Sequence, residues 1–228
     1  MYKNILILGA ARSGKTTLAK RIAKEKGYSL ISIDDIVSGF EAYPELEIHH
    51  DGDAVDTAKR LAPFLKKYFT ELSEGSTFYG GIKSVIEGTH FDFEQLMPFL
   101  QSDKYKEKYQ VIGLTFNDIT EQQLYDYIKK YDTEDDWTYW CDDGELKGNV
   151  RYFIDRNRYF NEMFKKYEIT TFDTSFDRDK VLSEIIDNLE ELENNNNKVK
   201  WSESCKITMN EENVKILFSY GIIKYRKW

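Results

Sequence analysis

Apolar runs alternate with helix-period patterns along most of the chain, as in βαβ units that build a parallel sheet. Lys3–Leu8 (KNILIL) is a short, nearly unbroken apolar run, the signature of a strand covered on both faces. Leu18, Ile22 and Ala23 then share one side of a helix predicted over Gly14–Lys26, with Gly27 placed to cap its C-terminus. Ser29–Ile33 (SLISI) reads as a second strand, ending at Asp34 and Asp35. A long interval follows, with a helical stretch from about Ala54 to Leu72 and an N-cap at Asp53. Pro63 inside it predicts a kink or a split, because proline lacks the N–H and crowds the preceding turn. Lys83–Glu87 is the third predicted strand, Phe93–Leu100 a short helix and Tyr109–Phe116 the fourth strand. Thr120 and Gln123 form a capping box for the next helix. Asp132–Gly148 is acidic and irregular, Val150–Tyr167 a helix rich in arginine and aromatics, Ile169–Phe172 a fifth strand, and Arg178–Glu193 a closing helix.

Asn194–Asn197 marks a boundary, and the composition shifts after it. Residues 198–228 carry seven basic against three acidic side chains and end in an aromatic, β-branched stretch, read as a small β appendage. The expected organisation is therefore a domain over 1–193 and a basic appendage over 198–228. For the chain of 228 residues the formal charge is -8, which argues against a protein that coats nucleic acid or is drawn to anionic lipid. No apolar run approaches the ~18 residues of a spanning helix. The N-terminal apolar stretch covers only Ile5–Ala11 before an arginine, too short for a secretion signal. Cys141 and Cys205 form no C-x-x-C pair, so a disulfide scaffold or cysteine zinc site is not expected and a reducing cytoplasm is.

The strongest chemical signal is Gly9-Ala10-Ala11-Arg12-Ser13-Gly14-Lys15-Thr16, a complete G-x-x-x-x-G-K-[ST] between a buried strand and a helix. Glycines let backbone N–H groups turn inward around phosphate oxygens, and the helix N-terminus adds its positive end. Lys15 is expected to reach the β- and γ-phosphates and Thr16 to ligate Mg²⁺, with Thr17 completing the nucleotide contacts. The loop alone does not choose among motors, GTPases and kinases. N-K-x-D for guanine, an apolar strand ending in Asp-Glu and L-S-G-G-Q are all absent from the sequence.

What remains resembles the small P-loop kinases, the group of nucleotide, nucleoside, shikimate and 2-phosphoglycerate kinases, over roughly residues 3–193. The resemblance implies a three-layer α/β/α fold with a five-stranded parallel sheet of order 2-3-1-4-5, ATP as donor with Mg²⁺, and a mobile lid bearing arginines, here about 132–158.

Ligands of open α/β sheets bind beyond the carboxyl ends of the strands, which places Asp34 and Asp35 near the γ-phosphate. Asp34 is assigned the base or metal-side role and Asp35 a substrate contact; the two are interchangeable at this stage, and either can be a helix N-cap. Lys83–Thr89 (KSVIEGT) is similar to the E-G-T element of the zeta-toxin kinases, which implies that Glu87 and Thr89 touch the acceptor, while Thr89 can equally cap the Phe93 helix. Gly88 would let backbone approach a ligand. His90 reads as a satisfied loop histidine. His49 and His50 read as part of a solvated loop and not a metal cluster.

Arg151, Arg156 and Arg158 lie on the helix after the acidic stretch. Arg151 and Arg158 are seven apart and share a face, and the resemblance implies that arginines here reach the transferring phosphoryl group. The competing reading pairs them with Asp155 and Glu162. Seven acids against Lys147 in 132–147 depart from a basic lid and point to a neutral alcohol or an amine-bearing acceptor. Trp137, Tyr139 and Trp140 can cover a ring or simply pack on the body. The expectation is an ATP-dependent kinase of a small-molecule hydroxyl. The alternatives are a nucleotide-binding switch that transfers nothing and a zeta-toxin-like kinase of a nucleotide-sugar.

Overall fold

The computed structural model describes residues 3–74 and 83–189. The asparagine run and the basic appendage lie outside the described residues, as do residues 190–193 of the expected closing helix.

Five parallel strands, β1 (Asn4–Leu8), β2 (Ser29–Ser32), β3 (Ser84–Gly88), β4 (Tyr109–Thr115) and β5 (Thr170–Asp173), form one sheet of order β2-β3-β1-β4-β5. This is the order expected. Alternate residues of β1 feed two cores. Leu6 and Leu8 join one with α3 (Ala54–Glu74), α4 (Phe93–Leu100) and α6 (Asp143–Lys166). Ile5 and Ile7 join the other with α1 (Lys15–Lys26) and α7 (Arg178–Asp187). Both faces are covered, which is why β1 is buried throughout.

Three elements differ from the expectation. The second strand stops at Ser32, and Ile33–Phe40 is a short helix, α2. Ser32 is its N-cap, accepting from Asp35 N–H at 3.2 Å, so Asp34 and Asp35 sit in the first helical turn, where acids suit the helix dipole. Pro63 does not split α3. Its missing N–H leaves the Lys59 carbonyl without its helical partner, and the Gln95 side chain donates to that carbonyl at 3.2 Å. The helix expected from Val150 starts seven residues early: Asp142 caps α6 and forms a capping box with Glu145. The end of the acidic stretch is therefore the acidic first turn of a helix, disguised by Gly144 and Gly148. Between Ala54 and Asp53 the expected cap is present, with Asp53 accepting from Val55 and Asp56 N–H. So is the box of Thr120 and Gln123 at the start of α5 (Glu121–Tyr131).

Gly88 ends β3 directly beneath α2. A Cβ there would stand 2.5 Å from the Ile33 Cβ, so the glycine makes room for α2. Gly88→Ala is expected to cost about 1–3 kcal/mol in urea unfolding, because Ile33 Cβ cannot rotate away and α2 must shift. MgATP-induced stabilisation should persist in that variant, since the phosphate loop is not in the contact.

Candidate functional site

The loop after β1 is built to face an anion. A Cβ on Gly9 would overlap the Leu114 carbonyl oxygen, so only glycine lets the chain turn there. Gly14 precedes α1 with φ 95°. No side chain caps α1 and no acid stands in its first turn, which leaves the leading N–H groups to a ligand. Ser13 Oγ is buried without a hydrogen-bond partner. An uncapped helix start, an orphaned hydroxyl and a glycine-only turn fit a nucleotide's phosphates.

Lys15 is buried, with Nζ donating to the Ala10 carbonyl at 2.9 Å across the loop. Burial pulls its ammonium below the usual lysine range, against the opposing pull of Glu87 and Asp34. Thr16 and Thr17 are exposed at the start of α1. Glu87, at the end of β3, is 3 % exposed and keeps Oε2 without a hydrogen-bond partner. Burial pushes its carboxyl up and Asp34 adds to this, while Lys15, Thr16 and Ser32 pull it down. Asp34 is the opposite case. Burial works against its charge, but the His90 hydrogen bond, Lys15 and a hydrogen bond from Thr89 prevail and hold it at about 2. Its Oδ1 accepts from His90 Nδ1 at 3.0 Å and from Thr89 Oγ1 at 3.3 Å. Two carboxylates with pKa values driven apart thus flank one buried lysine.

Thr89 does not cap the following helix; Asp92 does, accepting from Gln95 N–H at 2.8 Å. Asp35 is exposed in the first turn of α2. Among the described residues no three His, Cys, Asp or Glu side chains gather into a cation site of their own. The grouping that fits Mg²⁺ is Thr16 with the Asp34 and Glu87 carboxylates nearby, a partial set that a metal arriving with phosphates completes.

Arg151 and Arg158 of α6 hold surface ion pairs in this structure. Arg151 pairs with Glu121 at 3.2 Å and Arg158 with Asp155 at 2.7 Å, both exposed. The face that α6 buries is instead Leu146, Val150, Phe153, Asn157, Phe160 and Phe164, with Asn157 bonding both the N–H and the carbonyl of Phe116. Arg156, one residue before it, lies over Tyr159 and Phe160 and acts on Asp53. Trp137, Tyr139 and Trp140 are exposed, in or beside a single turn of 3-10 helix.

The acidic stretch has a use that spacing did not show. Arg12 donates to Asp132 and Asp136, each at 2.8 Å, and to Thr138. Arg12 itself has φ 71°. Arg178, at the start of α7, donates to the Arg12 carbonyl at 2.7 Å, stacks 4.5 Å from the Tyr127 ring centroid and packs on Gly14. Thr174 ties the β5 end to the Ser13 carbonyl at 3.0 Å. Asp132, Tyr127, Thr174 and Arg178 thus join the phosphate loop from distant positions.

No protein-family model matches the chain, and no curated protein matches its sequence. Solved structures do match its fold. A shikimate kinase from Acinetobacter baumannii in complex with shikimate superposes with a TM-score of 0.53 at 15% identity, covering 86% of this chain and 95% of its own. A gluconokinase from Sinorhizobium meliloti gives 0.52 at 12% identity, covering 85% and 94%. The chain has the fold of the small P-loop kinases. Among the described residues no helix is long and apolar enough to cross a membrane.

Proposed function

We propose that the chain is an ATP-dependent phosphotransferase acting on a hydroxyl of a small molecule. The observation that carries this is the juxtaposition of a phosphate-shaped loop with an ionised Asp34, held at the rim of the same site by Thr89 and His90. Lys15 and the N–H groups from Gly9 to Thr17 hold the nucleotide phosphates. Thr16, with Asp34 and Glu87 nearby, holds Mg²⁺, which when bound neutralises charge on the β- and γ-phosphates. Asp34 orients the acceptor hydroxyl: its oxygen bonds to the γ-phosphorus as the bond to the β–γ bridging oxygen breaks, ADP leaves, and the hydroxyl proton passes to Asp34 or to water. A carboxylate held at about 2 is a weak base, which suits a loose transition state in which proton transfer is late.

Asp35, Glu87 and Thr89 border the acceptor side in this reading. Arg151 and Arg158 must first leave Glu121 and Asp155 to reach a phosphoryl group; Arg156 lies over the Tyr159 ring and, among the described residues, holds no such ion pair. The Asp132 and Asp136 bonds to Arg12 favour one second reading, a nucleotide-controlled switch in which occupancy of the loop moves the 132–140 segment. Incubation with γ-³²P-ATP and pooled polyols, sugars and nucleosides tests both. A labelled product that Lys15→Ala eliminates supports the kinase; ATP binding with no labelled product overturns it and leaves the switch.

A further inference from the structure

Asp34 and His90 are 56 positions apart, and neither lies in the phosphate loop. A carboxylate only accepts, so the 3.0 Å contact requires His90 to carry its proton on Nδ1. Thr89 Oγ1 donates to the same Asp34 Oδ1, and among the described residues no hydrogen bond goes to Oδ2. His90 is 7 % exposed, whereas the Asp34 side chain remains 39% exposed. The imidazole is therefore a fixed wall and the carboxylate the accessible group. The His50 ring meets the His90 ring edge-on, with centroids 5.3 Å apart. His50 is itself anchored on α2, its Nε2 lying 3.1 Å from Ser38 Oγ and 3.2 Å from the Asp34 carbonyl oxygen. Both the side chain and the backbone of Asp34 are thus tied to histidines from other parts of the chain.

We infer that His90 is a positioning residue for phosphoryl transfer: its Nδ1–H, together with Thr89, fixes Asp34 Oδ1, so that Oδ2 faces the acceptor hydroxyl, and His50 braces the ring. This rests on the reading of Asp34 as the acceptor-orienting group. A terminal carboxylate torsion is soft, and a misplaced reacting group costs far more rate than stability.

Two measurements test it, one without activity. The protein has three histidines, so imidazole ¹⁵N resonances can be assigned using His90→Asn. At mildly alkaline pH the His90 signals should show Nδ1 protonated, and Asp34→Ala should move that proton to Nε2. A wild-type His90 protonated on Nε2 alone, or a tautomer indifferent to Asp34→Ala, overturns the inference. The second measurement is ATP turnover, with water as the acceptor until another is identified. His90→Asn keeps an N–H where Nδ1 was and should stay within about threefold of wild type, whereas His90→Phe should lose roughly 10- to 100-fold in kcat with ATP affinity unchanged. Equal losses in both variants would make His90 merely structural. If His90→Phe does not fold, His90→Gln, whose amide sits at the Nε2 position, replaces it with the same expectation. A wild type that binds ATP but never turns over counts against the phosphotransferase reading alone, since the tautomer experiment still decides the Asp34–His90 bond.

Discussion

Replacing Lys15 by alanine is expected to abolish the thermal stabilisation that MgATP confers. A ligand at ~100 times its dissociation constant adds about 2.7 kcal/mol, or roughly 5 to 10 °C for a domain of this size. Lys15 is buried beside the loop where the β- and γ-phosphates are proposed to lie, with Glu87 and Asp34 acting on it. Without it, the negative field of the two carboxylates on the nucleotide loses its buried counter-charge. The sequence suggests a lysine in a loop that the fold can spare. The structure buries it, so the ligand-free variant must be checked first: the cost of burying an ammonium disappears, but so do its Ala10 bond and its pairing with two acids. Differential scanning with and without MgATP separates these effects. A full MgATP shift in a folded Lys15→Ala protein would remove the phosphate-loop assignment.

Asp34→Asn should leave MgATP binding nearly intact while phosphoryl transfer falls by roughly 10² to 10⁴. The amide keeps size and can still accept from His90 and Thr89, but loses the charge. If Asp34 instead serves the metal, ATP affinity should drop when Mg²⁺ is present and change little without it. The pH dependence follows from the lowered pKa. A group whose folded pKa lies below its unfolded value of 3.8 contributes stability that is complete above that value and is lost as pH falls towards about 2. Asp34 should therefore stay ionised at every pH at which the protein is normally assayed, and an acid limb in the kcat profile between pH 5 and 7 would have to come from another group. Turnover equal to wild type in the Asn variant would end the catalytic assignment.

The legible part of the site was its local part. Eight consecutive residues spell the phosphate loop, and Asp34 stands out because strand ends of such sheets face the ligand. The parallel order followed from the resemblance, and the apolar runs located each strand to within a residue or two. What escaped were meetings between distant positions. His90 reads as a loop histidine until Asp34 is brought beside it from 56 positions away. Arg12 and Asp132 are 120 apart, and Arg178 and Arg12 166. No period or spacing encodes such pairs. That α3 runs through Pro63 unsplit has the same kind of cause: the group that relieves the proline, the Gln95 amide, belongs to another helix. Asn157 on α6 is a polar residue that locally reads as surface but is buried against Phe116.

The link between Arg12 and Asp132 bears on how far this loop can be treated as an interchangeable part. Its φ of 71° is one that glycine adopts freely, so a loop grafted from another protein with glycine at this place would gain backbone ease. It would also take from Asp132, whose side chain is only 6% exposed, the guanidinium that it pairs with. Breaking a buried pair from one side typically costs about 3–5 kcal/mol, several times the backbone gain. Arg12→Gly should accordingly be more destabilising alone than when combined with Asp132→Asn, as urea unfolding of the single and double variants would show. The graft boundary, then, does not run at residues 9 and 16: the phosphate loop and the 132–138 segment have to be exchanged together, as one unit split in two by the order of the chain.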